Sequence, residues 1–437
     1  MPVRGLVPRL PRQTWLILSG DAVSALGTGM TLPFFLIYLH RMRDIDLAVA
    51  GPIFSMIAVA GLVGNPLGGL LADRFGAKQT TVSGLVIVSA GTAGLAVIQS
   101  AWQGFLAAGV YGLGIAITAP AFQSLLGGSV PAELRAQAFA VRQAAINVGS
   151  SVGGLVSAFV VSFSSLRSFV ILYLLDAATF LIFAALIGRF TRNPSQPQKT
   201  SITAVAGGYR EVVSNRLLRR IWILVVAVVV CGFAAYYTAY PIYATEVGGL
   251  DAGALRFTFI AQTCTIVVAQ LFVLRLMTGR RRTRGFALCA VLMAAAWVTV
   301  LATPLLGDGG LVLAGFTIAL MLFAVGDAFL APTVPPIIND LATDSNRGRY
   351  NGAYTLAWTS GYVIGPGLAG MVLGAGHGSV YFVVLVGALA LVAVQAIRLE
   401  RLLPPSVNGV FSEAAGTETA AATETIGAAQ GRGSHDG

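Results

Sequence analysis

Apolar residues run along this chain in long blocks separated by short polar stretches. A helix needs roughly 20 apolar residues to cross a hydrocarbon core of about 30 Å. By that measure the pattern predicts twelve spans. Six lie near 14–39, 48–72, 80–99, 103–129, 138–162 and 167–189, and six near 219–244, 253–277, 285–304, 310–335, 350–375 and 379–400. The first span lacks a small-residue cleavage site and is too long for a signal peptide, so it is expected to remain. Residues 190–218 are polar and basic, with Pro194, Ser195 and Pro197, and read as a linker. Residues 401–437 are rich in Ala, Gly, Thr and Glu without apolar periodicity, which predicts a disordered tail. The expected organisation is an N-terminal six-helix half over 1–189, a linker over 190–218, a C-terminal half over 219–400 and the tail.

Composition strengthens the membrane reading. Of 437 residues, 56% are hydrophobic and 11% charged, where a soluble domain carries about 25% charged. Mean hydropathy is +0.79. A net charge of +10 raises the thought of nucleic acid, but a nucleic-acid binder gathers its basic residues on one face. Here they sit in clusters between apolar runs. With a cytoplasmic N-terminus, 24 of the 28 Lys and Arg fall inside, and only Arg41, Arg43, Arg167 and Arg256 fall outside. That asymmetry predicts a multi-pass plasma-membrane protein with both termini in the cytoplasm. Cys231, Cys264 and Cys289 all lie in apolar segments, an odd set that argues against a disulfide framework. No phosphate-binding loop for ATP occurs. His40, His377 and His435 are too dispersed for a metal site. Neither a metal nor a cofactor is expected.

The two halves also resemble each other. At a shift of 212 residues, Gly114, Ala116, Ala119 and Pro120 meet Gly326, Ala328, Ala331 and Pro332, and Arg135, Gly149 and Gly153 meet Arg347, Gly361 and Gly365. Two six-span units that both start inside are related by an axis along the membrane normal, and repeated halves place a binding site at their interface. The expected fold is therefore all-α, integral to the membrane, with twelve helices in two pseudo-symmetric six-helix bundles.

The second span ends in Gly69-Leu70-Leu71-Ala72-Asp73-Arg74-Phe75-Gly76-Ala77-Lys78. This resembles the signature between helices 2 and 3 of the major facilitator superfamily, and with the spans and the repeat the resemblance covers about residues 13–400. It implies a secondary transporter, a cavity lined by helices 1, 4, 7 and 10, and a cytoplasmic gate at Gly69, Asp73, Arg74, Gly76 and Lys78. Gly69 would allow close helix approach, and Asp73 would receive the positive end of a neighbouring helix. Arg74 and Lys78 would pair with carboxylates or lipid phosphates. The second-half counterpart, Gly279-Arg280-Arg281-Arg282, keeps basic residues without an Asp. In span five, Gly149, Gly153 and Gly154 resemble the family's antiporter signature without its Pro, and in span eleven Gly361, Gly365 and Pro366 include one. Both also fit small-xxx-small helix packing. Span four lacks the Arg that many relatives place before Gly112. Arg142 is a candidate substitute, or a residue snorkelling to the interface.

Charge inside a span is costly and marks a functional hypothesis. Asp21, Asp176 and Asp327 qualify. Asp21 and Asp327 each lie about 12 Å from the cytoplasmic end, where a carboxyl can load and unload a proton, so Asp21, Asp327 and Arg142 are the expected proton-coupling residues. Asp176 sits on a helix that the resemblance places at the periphery, which favours a structural role. Asp21, Ser24, Thr28 and Thr31 share one helix face and read as cavity lining. Tyr236, Tyr237, Tyr240 and Tyr243 cluster in span seven, and Tyr354, Trp358 and Tyr362 share a face of span eleven. Ser24, Thr28, Tyr236, Tyr240, Gln262, Tyr354 and Trp358 form the expected substrate cavity, suited by stacking and cation–π contact to a lipophilic compound.

The expected function is proton-coupled antiport that exports lipophilic small molecules, by a monomer whose partners are substrate and membrane lipids. A symporter importing a sugar or other metabolite is the alternative, with Gln123, Asn147 and Gln262 as polar ligands. An enzyme acting on lipid-linked substrates is a remote one, since its nearest charged cluster, Glu133, Arg135, Asp340 and Asp344, reads better as gate ion pairs.

Overall fold

The computed structural model describes residues 10–162, 164–191, 214–307, 309–343 and 346–409. The expected linker lies mostly at 192–213 and the expected tail mostly at 410–437, outside the described residues. Among the described residues every regular element is helical. The spans are α1 (Arg12–Met42), α2 (Leu47–Phe75), α3 (Ala77–Ala96), α4 (Ala101–Gly128), α5 (Arg135–Val160) and α6 (Leu166–Phe190). The second half holds α7 (Arg216–Tyr237), α8 (Ala252–Met277), α9 (Arg282–Leu306), α10 (Gly309–Ala328), α11 (Arg347–Gly374) and α12 (Gly378–Leu399).

Among the described residues, eleven helices are long and apolar enough to cross a bilayer. The expected twelfth is α5, which has the length at 26 residues but carries Arg142, Gln143, Asn147, Ser150 and Ser151. Such a polar helix is tolerated at membrane depth where it faces protein or a cavity, and α5 does both.

The expected span 310–335 does not run unbroken. Its helix stops at Ala328 and resumes as Val334–Leu341. Pro332, Pro335 and Pro336 lack the N–H that would continue the ladder, and their rings clash with the preceding turn. α7 is also interrupted. Val229–Ala234 is π-helical, and beyond Thr238 the chain continues as Ala239–Glu246. Within α1, Pro33 opens a 3₁₀ turn at Leu32–Phe34, and Tyr38–Met42 is π-helical.

The sequence repeat reappears in the packing. In the first half α1 packs on α5, α2 and α3 on α4, and α3 on α6; in the second, α7 packs on α11, α8 and α9 on α10, and α9 on α12. Glycine makes these approaches possible. Gly149 lies over the Ala22 carbonyl and Gly153 over that of Leu26, while Gly361 and Gly365 face Val229 and Ala234. Both pairs of glycines therefore sit on equivalent seams, α1–α5 and α7–α11.

The halves meet along α2–α11 and α5–α8. The first seam is tight at the end opposite the basic loops. There the Gly367 N–H donates to Ser55 Oγ at 3.1 Å, and Gly51 and Gly370 stack backbone on backbone. Phe34 meets Phe259 edge-on at 5.7 Å, and Arg41 pairs with Glu246 at 2.7 Å. This end is closed. At the basic end, Arg282 pairs with Asp340, and Glu400 pairs with Arg281 and Arg284. These pairs join elements of the C-terminal half, and they supply, from just beyond α12 and from the Val334–Leu341 helix after α10, the acids that the Gly279–Arg282 loop lacks.

Candidate functional site

A cavity of about 500 Å³ lies between the halves. α1 contributes Thr28, Gly29, Leu32 and Pro33; α5 contributes Asn147, Val148, Ser150, Ser151 and Gly154. α7 adds Phe233, Tyr236 and Tyr237, α8 adds Phe259, Gln262, Thr263 and Gln270, and α10 adds Phe323 and Asp327. α4 takes no part, contrary to the expected lining by helices 1, 4, 7 and 10. It is packed behind α2 and α3, with Gly112 against Ile57 and Gly114 against Val88. Its place is taken by α5 and α8.

The second-half wall is aromatic. Tyr236 stacks on Phe323 with centroids 4.9 Å apart and planes 5° from parallel. Its edges meet Tyr237 at 4.7 Å and Phe259 at 6.0 Å. The π-helical segment of α7 carries Phe233 to this wall, and such bulges often accompany functional sites. Asp327 ends the intact part of α10, directly before the proline break. No protein side chain forms an ion pair or hydrogen bond with its carboxylate among the described residues. The phenols of Tyr236, Tyr237 and Tyr362 are near enough to interact with its charge.

Of the residues expected in the cavity, Thr28, Tyr236 and Gln262 line it. Ser24 is buried in α1 and donates to the Asp21 carbonyl at 3.0 Å. Tyr240 is fully buried, its hydroxyl directed to the Phe316 carbonyl at 3.3 Å. Trp358 packs behind the wall, 4.8 Å from Phe233, and Tyr354 stands against Trp358 at 6.3 Å. Gln123 does not line the cavity. Helical spacing put these residues on shared faces but could not tell which face meets space and which meets a neighbour. Little in the sequence marks Phe233, Phe259 and Phe323, because a phenylalanine in a membrane span reads as ordinary packing whichever face it occupies. The only local signal was the run of Tyr residues just after Phe233.

Asp21 and Arg142 do not face the cavity separately, since they pair with each other. Arg142 Nε donates to Asp21 Oδ2 at 2.8 Å, and its guanidinium lies 4.7 Å above the Phe122 ring. Asp176 is buried in the first half and accepts a hydrogen bond from Thr31 Oγ1 at 2.8 Å. Thr31 therefore turns away from the cavity, unlike Thr28 on the same helix.

The gate loop is exposed. Asp73 and Arg74 hold no ion pair among the described residues, and Arg74 lies 5.5 Å over the Phe75 ring. Lys78 Nζ donates to the Thr191 carbonyl at 2.7 Å. Gly76, at φ 92°, makes the left-handed turn into α3. Gly69 does not mediate close approach: a Cβ there would meet nothing within 4 Å. The close contact belongs to Gly68, which faces the backbone of Ile117. Pro366 sits on the α2–α11 seam, its carbonyl over Gly51, whereas Gly154 borders the cavity, where a Cβ would lie 3.8 Å from the Gly29 carbonyl. Arg135 Nε donates to the Gly127 carbonyl at 3.0 Å; Asp344 lies outside the described residues.

The sequence profile of the Major Facilitator Superfamily matches residues 17–323 and 249–429. The chain belongs to the Major Facilitator Superfamily. Its relatives within that superfamily include the MFS-type transporter YttB of Bacillus subtilis, 26% identical over 377 residues, or 83% of this chain and 89% of that one. The quinolone resistance protein NorA of Staphylococcus aureus is 23% identical over 229 residues, 51% of this chain and 55% of NorA. Among solved structures, the fold is similar to a D-xylose–proton symporter (TM-score 0.69, 13% identity, covering 91% of this chain and 98% of that one). It is equally similar to a bacterial homologue of the human lysosomal transporter Spinster, with the same TM-score, identity and coverage. The chain is thus a multi-pass membrane transporter of this superfamily, a family of transporters rather than enzymes.

Proposed function

We propose that this protein is a proton-coupled antiporter that exports lipophilic, preferentially cationic small molecules by alternating access. The observation that carries the reading is Asp327, a carboxylate without a protein counter-ion in an aromatic-walled cavity between two halves. One carboxylate cannot hold a proton and a cationic substrate at the same time. Competition between the two couples their movements, because each ligand shifts the protein away from the form that binds the other. Stacking on Tyr236, Phe259 and Phe323 supplies cation–π and apolar contact.

With the basic loops and both termini on the cytoplasmic side of the plasma membrane, the closed α2–α11 end is external and the cavity loads from the cytoplasmic side. Asp21 is a second proton acceptor: its protonation would release Arg142 on α5, which rocks with the first half. The protein would act as a monomer, driven by the proton gradient without a cofactor.

A second reading, import of a polar metabolite by symport, is favoured by the amides and hydroxyls of Asn147, Gln262, Gln270, Ser150 and Ser151 on the same cavity. Respiring inside-out vesicles with a pH-sensitive dye separate the two. Proton release on adding a lipophilic cation, lost in Asp327→Asn, supports antiport. Counterflow of a sugar with no response to lipophiles overturns it in favour of symport.

A further inference from the structure

Asp176 takes no part in the cavity or in the Asp21–Arg142 pair. It sits on α6, 1% exposed, against a single turn of α1. Thr31 Oγ1 donates to its Oδ2 at 2.8 Å, and its Oδ1 lies where a Cβ on Gly27 would collide with it. That turn directly precedes the 3₁₀ break of α1 at Leu32–Phe34. Beyond the break, α1 carries part of the outer closure, with Phe34 on Phe259 and Arg41 on Glu246. This outer segment rests on α6 one turn before Asp176, where Tyr173 meets Tyr38 at 4.8 Å and Phe35 at 6.5 Å. Asp176 thus holds α1 where its outer segment begins.

The carboxyl is incompletely bonded. Its Oδ1 and the Tyr173 hydroxyl are both sealed from solvent and have no hydrogen-bond partner among the described residues. The ionisable groups beside it are phenols, Tyr111 from α4 and Tyr173 from α6. Behind Tyr173 stands Tyr38, whose hydroxyl accepts from Arg43 Nε at 2.7 Å at the outer end. α3 presents Ser89, bonded to the Ala177 carbonyl, and its one cation, Lys78, is at the basic end. On α5, Arg135 and Arg142 are engaged elsewhere. Asp21 lies about 15 Å along α1 from Thr31. No cation pairs with Asp176 among the described residues.

From these observations we infer that Asp176 is a proton-binding site that governs the outer closure, which forms when the carboxyl is protonated and opens when the proton is lost. An unpaired carboxylate sealed from water costs far more than the neutral acid, so the closed arrangement selects the acid. An ionised Asp176 needs water or new donors. These reach it when the outer segment of α1 lifts from Tyr173 and turns at the Pro33 break. The proton passes from external water, by way of Tyr38 and Tyr173, to Oδ1, and no other bond is made or broken. A site that binds a proton more tightly in the closed form shifts the population toward closure as the outside acidifies. This rests on the alternating-access reading above, and on neither its substrate nor its direction of transport.

The test reads the outer end of the full chain in lipid bilayers. Nitroxides at Asp44→Cys and Val247→Cys, both exposed at that end, report its opening once Cys231, Cys264 and Cys289 are replaced. The background carries Asp21→Asn, Arg142→Gln and Asp327→Asn, so that neither of the other intramembrane carboxyls responds. There the ratio of open to closed outer ends should rise by about tenfold between about pH 5 and 9. Adding Asp176→Asn, whose amide stands in for the neutral acid, should hold the ratio at its low-pH value throughout. A response that survives Asp176→Asn belongs to another group, such as His40 at the Ile45 carbonyl, and overturns the site. A ratio that stays flat in the background overturns it too. Glu246→Gln separates that failure from failure of the transport reading. If it opens the outer end where pH does not, alternation stands and the proton site falls; if nothing opens that end, alternating access itself falls. Where Asp176→Asn does not fold, Thr31→Val keeps the carboxyl and removes its donor. The midpoint of the response should then move to higher pH by about one unit, and an unmoved midpoint overturns the site.

Discussion

Arg142 Nε meets Asp21 Oδ2 at 2.8 Å across the contact between α5 and α1. The pair is partly buried on the same seam where Gly149 and Gly153 bring the two helices together. Removing one partner of such a pair leaves the other uncompensated, which costs up to about 3–5 kcal/mol in fully buried cases and less here. Asp21→Asn and Arg142→Gln should each lower the midpoint of thermal unfolding in detergent. The double variant should be no less stable than either single one. Additive losses would show that the two side chains do not act as a pair.

Asp327 has no such partner among the described residues, so its removal should leave stability intact and abolish coupling. Asp327→Asn is expected to unfold within a few degrees of the unsubstituted protein. Binding of a monovalent lipophilic cation should weaken by about tenfold or more, as for loss of a charge worth about 1.4 kcal/mol or more. Titration of tetraphenylphosphonium binding by calorimetry checks this, with a neutral aromatic compound as the comparison that should be much less affected.

Two glycines separate resemblance from packing. Gly153→Val should disrupt the α1–α5 seam and reduce the yield of folded protein, because a side chain there meets the backbone of Leu26 and Met30. Gly69→Ala, within the gate signature, should fold normally and change stability by less than about 0.5 kcal/mol or increase it. Size-exclusion profiles of the two variants from membranes provide the measurement.

The Arg41–Glu246 pair ties α1 to the α7 extension at the closed end. Exposed pairs of this kind are worth about 0–1 kcal/mol, enough to shift a two-state population up to about fivefold. Glu246→Gln should open the outer end more often, and the Arg41→Glu, Glu246→Arg exchange should restore closure. Distances between spin labels across α1 and α7 report the populations.

Glu400 lies just beyond α12. The hydrogen bond from Arg284, with the charges of Arg281 and Arg284, holds its carboxyl below the usual carboxylate range. A carboxyl lowered in the folded state stabilises the fold above its unfolded value near 4.3, and that contribution disappears as pH falls through the folded value. Unfolding midpoints measured from about pH 6 down to 3 should fall less steeply in Glu400→Gln than in the unsubstituted protein.

The linear sequence determined most of the membrane spans, because hydrocarbon demands long apolar helices whatever their neighbours, though not the break of span ten after Ala328, and the shift of 212 residues pointed to two halves. It also singled out Asp21, Asp176 and Asp327, since buried charge is rare enough to be conspicuous, and Arg142 as the stand-in for an Arg that span four lacks. It could not show that Asp21 and Arg142 neutralise each other while Asp327 has no ion-pair partner among the described residues, because that depends on which helix faces which. For the same reason Tyr240, Tyr354 and Trp358 could not be told from Tyr236. Apolar helices in a membrane show no amphipathic contrast between a face on protein, a face on lipid and a face on a cavity. Only tertiary packing distinguishes them, through small residues that let particular helices approach and prolines that break others.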